Sequence, residues 1–411
     1  MRDLLPEEVA LRRYVTETIL NVYQQYGFSQ IETPCTEHLN LLTGGDGGDN
    51  EKMLFKILKR GDRLIFSEKT QESDVSDMGL RFDLTVPLAR YYAINREKLP
   101  RQFKVIQIGS VWRAERPQRG RFRQFTQCDI DIIGVKVVFA ETELIMATTE
   151  ALLNLTFKDF VVRINDRRIL EALAAYCQFP VDVHGKVFII LDKLDKIGLD
   201  GVRKEMEKAE FPAASIDRFM GIIEQSDSLT IDSLLAVLPT IDEQVRADLQ
   251  SVITTIEAVS AGQYSIRFDL SLVRGMGYYT GPIFEIAVND FGSSIAGGGR
   301  YDKMIGKMLN GKEEVPACGF SIGFERVIML LMEAGFQVPE NSEKVVILYA
   351  ETASPLTLMQ AATSLRKEGK IVSIELQKKN KSKQLQDCLK QGYTSFAIFE
   401  EGKPLEIREN H

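Results

Sequence analysis

The chain has 411 residues, 44% hydrophobic and 27% charged. That is the balance of a globular protein with ample core, and it is too long for one ordinary domain. No apolar run reaches the ~18–20 residues a membrane helix needs, and the short charged start Met1–Glu8 does not resemble a signal peptide. The five cysteines (Cys35, Cys128, Cys177, Cys318, Cys388) include no CxxC pair, which argues against a zinc cluster or a disulfide framework and for a reducing cytoplasm. With only His38, His184 and His411 present, neither histidine-based catalysis nor a histidine metal site is expected.

The net charge of −7 alone argues against a nucleic-acid partner, but its distribution argues the other way. Lys344–His411 holds 11 basic and 8 acidic residues, a surplus of three that leaves −10 for the rest. Between Arg101 and Arg123 seven basic residues face a single acid, Glu115. A basic island in an acidic chain fits local phosphate binding; a solvated charged face is the competing reading.

In chain order, Pro6, Glu7 and Glu8 open a helix whose apolar residues Leu11, Val15, Ile19, Val22 and Tyr26 recur at helical spacing before Gly27. A short extended run ends at Pro34, and GGDGGDN (44–50) has loop composition. Residues 80–133 read as strands joined by a helix and a loop, and 165–262 as mostly helical. Strands return over 264–301, followed by a helix over about 321–334. QVPENSEK (337–344) reads as a linker. The remainder alternates strand and helix as βαβαβ, which predicts a small α/β domain with a partly parallel sheet.

Two of these strands carry a chemical face. In LRFDLTV (80–86), Arg81, Asp83 and Thr85 alternate with Leu80, Phe82, Leu84 and Val86. In 121–133, Arg121, Arg123, Phe125, Gln127, Asp129 and Asp131 share one side, while Phe122, Gln124, Thr126, Cys128, Ile130 and Ile132 share the other, read as the core side. An aromatic with arginines at one end and Gln/Asp at the other suits a nucleotide beside a small polar molecule, although an exposed sheet face has a similar pattern. VRGMGYYTGPIFEI (273–286) and SIAGGGRYD (294–302) gather Arg274, Tyr278, Tyr279 and glycines that let a ligand approach the backbone closely. Neither is a GxGxxG or a P-loop, so a Rossmann or Walker site is not supported.

Together these segments resemble histidyl-tRNA synthetases, a class II aminoacyl-tRNA synthetase family, over nearly the whole chain. RDLLPEE is similar to the family's N-terminus. YGFSQIETPCTE, with Pro34, resembles motif 1, VWRAERPQRGRFRQFTQCDIDIIG motif 2, and GFSIGFERV motif 3. LVRGMGYYTG and AGGGRYD resemble the two histidine signatures, which separate this family from other class II enzymes.

The resemblance implies an α+β catalytic domain (1–336) with an antiparallel sheet flanked by helices, and a helical insertion at about 169–259. A linker (337–343) and a C-terminal α/β anticodon-binding-like domain (344–411) would follow. It implies ATP-dependent activation of histidine with Mg²⁺, transfer to tRNA(His), a homodimer through motif 1, a cytoplasmic location and no membrane. By position, Arg113 and Arg274 would be catalytic, Arg113 at the α-phosphate and Arg274 between the reacting carboxylate and that phosphate. Glu115 would read adenine, Phe125 would stack on it, and Arg121 and Arg326 would meet the other phosphates. Asp83, Thr85 and Gln127 would hold the histidine amino group, and Asp131 with Tyr278 or Tyr279 the imidazole. Arg116, Gln118, Lys378 and Lys379 are tRNA candidates; the lysines also read as a solvated loop.

The chain departs from the family at Gly277, where an acid is usual, and at Asp131, where Glu is common. The competing reading is a catalytically inactive paralogue acting as the regulatory subunit of ATP phosphoribosyltransferase.

Overall fold

The computed structural model describes residues 1–43, 53–116, 119–136, 138–238, 240–274, 278–288, 294–309, 311, 313–339 and 342–410. GGDGGDN, Gln118 and Gly277 lie outside them. The chain divides into two compact units, Met1–Phe336 and Gln337–His411.

In the first unit, α1 (Pro6–Gln25) opens on Pro6 with two acids in its first turn, and Gly27 follows at φ +79°. Its buried stripe is completed by Tyr23 rather than by Tyr26. The Tyr26 ring instead reaches Glu150, to which its hydroxyl donates at 2.5 Å. Next come β1 (Ser29–Gln30), β2 (Thr36–His38), α2 (Leu39–Thr43), β3 (Lys56–Leu58), α3 (Glu72–Val75) and β4 (Ser76–Leu80). The strands β2, β4 and β3 form a small antiparallel sheet.

The strand expected over 80–86 ends at Leu80, and α4 (Thr85–Asn95) begins five residues later. Pro87 accounts for this, because a proline lacking its N–H is tolerated in a first helical turn. Asp83 reinforces the start, its Oδ1 accepting from Val86 N–H at 3.2 Å. Arg81, Phe82, Asp83 and Leu84 are all buried, so the period of two separated no faces. Arg81 serves as an internal brace, donating to Thr33 O at 2.7 Å and Ser110 O at 2.9 Å.

A ten-residue antiparallel pairing of β5 (Phe103–Trp112) with β6 (Gln124–Ile133) is followed by α5 (Phe139–Asn154) and β7 (Phe160–Asp166). Among the described residues six α-helices then intervene: α6 (Arg167–Tyr176), α7 (His184–Leu191), α8 (Leu194–Lys208), α9 (Ala213–Ile223), α10 (Ile231–Val237) and α11 (Glu243–Ser260). The sheet resumes with β8 (Ser265–Phe268), β9 (Pro282–Val288), β10 (Ser294–Arg300), α12 (Asp302–Met308), β11 (Ala317–Ile322) and α13 (Phe324–Glu333). Ser321 and Ile322, read from sequence as helical, thus belong to a strand.

The eight strands lie in the order β1-β5-β6-β11-β10-β9-β7-β8. From β5 to β7 every neighbouring pair is antiparallel; the edge pairs β1–β5 and β7–β8 are parallel. One face packs on α5, whose Leu144, Ile145 and Leu152 are fully buried. This is the class II synthetase-like α+β arrangement, with its sheet antiparallel except at the edges.

The second unit contains β12 (Lys344–Tyr349), α14 (Pro355–Lys367), β13 (Ile371–Leu376), α15 (Lys381–Lys390), β14 (Ser395–Phe399) and β15 (Ile407–Glu409). Its sheet runs β13-β12-β14-β15, parallel except for the edge strand β15, which the sequence reading lacked. Val345 and Ile347 pack with Leu358 and Ala362, and Val346 and Leu348 with Cys388. Cover on both faces explains the unbroken apolar run VVIL.

Candidate active site

A cleft of about 450 Å³ lies over the central sheet. It draws residues from the start of α4, from β6, β9, β10, β11 and α13, and from the turn between α7 and α8. The alternation holds only in the inner half of β6, where Gln127, Asp129 and Asp131 line the cleft and Cys128, Ile130 and Ile132 are fully buried. Nearer its start Phe125 lines the cleft, but so do Phe122 and Thr126, and Gln124 is exposed, because the strand end lies open to solvent. Asp83, Thr85, Arg113, Glu115, Arg121, Arg274, Tyr278, Tyr279 and Arg326 line the same cleft. Arg116 and Arg123 do not line it, and Lys378 and Lys379 lie exposed in the second unit.

One end of the cleft is rich in acceptors. Asp83, Asp129 and Asp131 are all at least 95% buried. Asp83 Oδ2, Gln127 Oε1 and Asp129 Oδ1 are buried without a hydrogen-bond partner. Gln127 Nε2 donates to Asp129 Oδ2 at 2.6 Å, which leaves the two remaining oxygens as acceptors. Burial pushes the Asp83 carboxyl up to about 6, against the pull of Val86 N–H and Arg113. Burial likewise pushes Asp129 up to about 7, opposed by Ser321 and Gln127 and aided by Asp83. Asp131 is also pushed well above the usual carboxylate range, by burial first and then by Asp129. Unpartnered buried carboxylates are costly, and a cationic N–H donor would satisfy these at once.

The other end gathers cations. The Arg113 guanidinium sits 5.1 Å from the Phe125 ring centroid and donates through Nε to Phe82 O at 3.0 Å. Arg326 donates to Ser294 O. Burial, then repulsion from Arg121 and Arg274, holds the Arg326 guanidinium below the ordinary arginine range. Guanidinium groups that repel one another in a cleft make an anion site, and an aromatic beneath them gives a planar base a surface to stack on.

The glycines explain how the arginine and the acids fit. A Cβ at Gly297 would overlap the Arg274 guanidinium, and a Cβ at Gly319 would overlap Asp131 Oδ1. Both positions therefore have to be glycine for those two side chains to lie flat on the sheet.

Sequence reasoning missed several contributors. The Tyr301 hydroxyl donates to Asp131 Oδ1 at 2.6 Å. Glu285 pairs with Arg274 at 3.2 Å. Glu325 Oε1 accepts from Thr126 N–H at 2.9 Å and from Arg12 at 2.8 Å, fixing α1 and α13 against β6. Asp192 and Asp195 bring the helical insertion to the cleft wall. Tyr301 and Glu285 do fall in the SIAGGGRYD and IFEI runs, so a strand register would have found them. The insertion residues carry no pattern at all.

A sequence profile described as "Histidyl-tRNA synthetase" matches residues 1–327. The histidine--tRNA ligase of Leifsonia xyli subsp. xyli is 43% identical over 98% of this chain and 95% of its own. The chain belongs to the histidyl-tRNA synthetase family. The histidine--tRNA ligase of Cytophaga hutchinsonii is 34% identical over 90% of this chain and 84% of its own. The crystal structure of histidyl-tRNA synthetase from Nostoc sp. PCC 7120 superposes with a TM-score of 0.78 at 27% identity, covering 99% of this chain and 93% of that one. A Bacillus halodurans structure, described as an ATP phosphoribosyltransferase regulatory subunit/histidyl-tRNA synthetase, has a TM-score of 0.75 at 21% identity and 97% coverage of both chains. That last likeness speaks to the fold alone. Membership of the histidyl-tRNA synthetase family agrees with a cleft that joins an acceptor end to a cationic end. No helix among the described residues is long and apolar enough to cross a membrane.

Proposed function

We propose that this chain activates histidine with ATP and transfers it to tRNA(His), and that the cleft carries out both steps. The observation that carries this reading is the set of three unpartnered buried acceptors, Asp83 Oδ2, Gln127 Oε1 and Asp129 Oδ1, in one cleft with Arg113, Arg121, Arg274 and Arg326. An amino acid offers a cationic amine to the first set and a carboxylate to the second; ATP offers phosphates to the second. A regulatory paralogue that only binds histidine would use the acceptor end and one cation for the carboxylate, with no need of four arginines.

In the activation step a histidine carboxylate oxygen attacks the α-phosphorus, the bond to the bridging oxygen breaks, and pyrophosphate leaves. Arg113 and Arg274 neutralise the charge that builds on the α-phosphate, and no proton transfer is required. Phe125 stacks on adenine, Glu115 reads its edge, and Arg121 and Arg326 hold the remaining phosphates. Asp83, Thr85, Gln127 and, as a further partner, Asp129 grip the amine. Asp131, held by Tyr301, reads the imidazole together with Tyr278 or Tyr279.

Mg²⁺ enters as MgATP. It would add to the arginines' neutralisation of charge on the phosphates. In the second step a hydroxyl at the tRNA 3′ end attacks the adenylate carbonyl and AMP leaves. Arg116 and Gln118 contact the acceptor end, Lys378 and Lys379 support the tRNA from the C-terminal α/β unit, and the enzyme acts as a motif 1 homodimer in the cytoplasm. The free state of all five cysteines suits that compartment.

Two analogues test the amine subsite. Histidinol keeps the amine and imidazole but lacks the carboxylate, and is expected to compete with histidine. Imidazole propionate lacks the amine and is expected not to compete. Equal competition by both would refute the assignment of the acceptor end.

A further inference from the structure

Arg274 does not stand alone in the cleft wall. Glu285, on β9, places Oε2 3.2 Å from Arg274 Nη1 and Oε1 3.0 Å from Arg163 Nη1. Its side chain is 12% exposed, so both contacts are poorly screened by solvent. Arg163, on the neighbouring strand β7 and register partner of Glu285, is fixed in turn. Its Nε donates to Asp269 Oδ2 at 2.6 Å, and Asp269 is 7% exposed. Asp269 is itself held by Ser271, whose hydroxyl donates to Oδ1 at 2.6 Å. Asp195 of the helical insertion adds a contact to Arg163 at 3.2 Å, but it is 64% exposed and contributes little by itself.

The geometry is a relay of alternating charge that runs from the end of β8 through β7 and β9 to the segment before β9: Asp269, Arg163, Glu285, Arg274. A lone arginine on a flexible side chain would sample many rotamers. One oxygen of a carboxylate whose other oxygen is already committed gives Arg274 a fixed anionic anchor beside its contact with Tyr279. The Gly297 backbone beneath the guanidinium removes the alternative of sinking into the sheet. Tyr279, which also hydrogen-bonds Arg274, faces the guanidinium too, with Tyr278 and, from the insertion side, Asp192.

We propose that Glu285, with Arg163 behind it, is a positioning residue that fixes the direction of the Arg274 guanidinium for the activation step. This rests on the reading of Arg274 as the group that meets the reacting carboxylate and phosphate. Glu285 touches neither substrate in this account; it acts through Arg274.

The test is pyrophosphate exchange on full-length Glu285→Gln, Arg274→Ala and the double variant, with thermal denaturation of each. In Glu285→Gln the amide satisfies one arginine and turns an N–H toward the other. A misdirected guanidinium is expected to lower kcat by about tenfold or more while KM for histidine and for ATP stays within about threefold. Adding Glu285→Gln to Arg274→Ala is expected to cost nothing further, because the residue being positioned is gone. Should the single charge removal prevent folding, Asp269→Asn/Arg163→Gln/Glu285→Gln removes all three buried charges behind Arg274. It is expected to melt nearer the wild-type temperature while kcat stays low.

Near-normal exchange by Arg274→Ala would overturn the reading of Arg274 itself. A lost Arg274→Ala beside a near-normal Glu285→Gln would overturn the positioning proposal alone. So would independent, multiplicative losses in Glu285→Gln/Arg274→Ala, or a kcat that recovers with the melting temperature in Asp269→Asn/Arg163→Gln/Glu285→Gln.

Discussion

Asp131 and Tyr301 meet across the sheet: the Tyr301 hydroxyl donates to Asp131 Oδ1 at 2.6 Å, and Gly319, the β11 register partner of Asp131, leaves room for the carboxylate between them. Asp131 is shorter than the Glu common at this position in the family, and the tyrosine fixes its reach. Gly319→Ala is expected to displace the carboxylate and raise KM for histidine by about tenfold or more. Tyr301→Phe, which frees Asp131 without a clash, is expected to cost less. KM for ATP should move little in either, since losing a fixed polar partner penalises only the substrate it reads. Steady-state pyrophosphate exchange measures both constants.

Arg274→Ala is expected to slow histidine activation by roughly 2–4 kcal/mol of barrier, the usual loss for a preorganised donor at a developing charge. Gly297→Ala should reproduce part of that defect, because the new Cβ occupies the guanidinium's place. Single-turnover adenylate formation is the appropriate measurement.

Asp129 offers a pH signature in the ligand-free protein. Burial raises its carboxyl to about 7 from a usual value of 3.8. Between those values the folded chain keeps a proton that the unfolded chain has released, so stability falls as pH rises through this window. Asp129→Asn never ionises and escapes the penalty. Relative to wild type it is expected to melt a few degrees higher at pH 8, with the difference shrinking or vanishing at pH 5. The same variant should bind histidine poorly at pH 8. A stability difference independent of pH would contradict the raised carboxyl.

Much of this site was legible in the sequence because β6 is a long strand with one chemical face. Phe125, Gln127, Asp129 and Asp131 could be placed from period two alone. The same reasoning failed at 80–86, where every residue from Arg81 to Leu84 is buried and Pro87 starts a helix instead. Asp83 still reached the cleft, but from a helix start and not from a strand. β11 was hidden because ACGFSI is short and glycine-interrupted, and β15 because three residues make no pattern. The partners of Arg274 were invisible for another reason: Glu285, Arg163, Asp269 and Asp195 come from four separate segments. Only the pairing of β7 with β8 and β9 and the placement of the insertion bring them together.

Lys378 and Lys379 are exposed just before α15 in the second unit. Lys378→Glu/Lys379→Glu is expected to raise KM for tRNA(His) by about tenfold, as lost phosphate contacts do, and to steepen neither constant in pyrophosphate exchange. Aminoacylation kinetics at two salt concentrations check this, because removing phosphate contacts should also flatten the salt dependence.

The most direct measurement is ATP–pyrophosphate exchange by the purified chain with each of the twenty amino acids supplied singly. The acceptor set facing the arginine set requires exchange with an amino acid and its loss in Arg274→Ala, and Asp131 held by Tyr301 requires that amino acid to be histidine and not one of the other nineteen. Exchange with no amino acid, or with a different one, would contradict the assignment of this cleft.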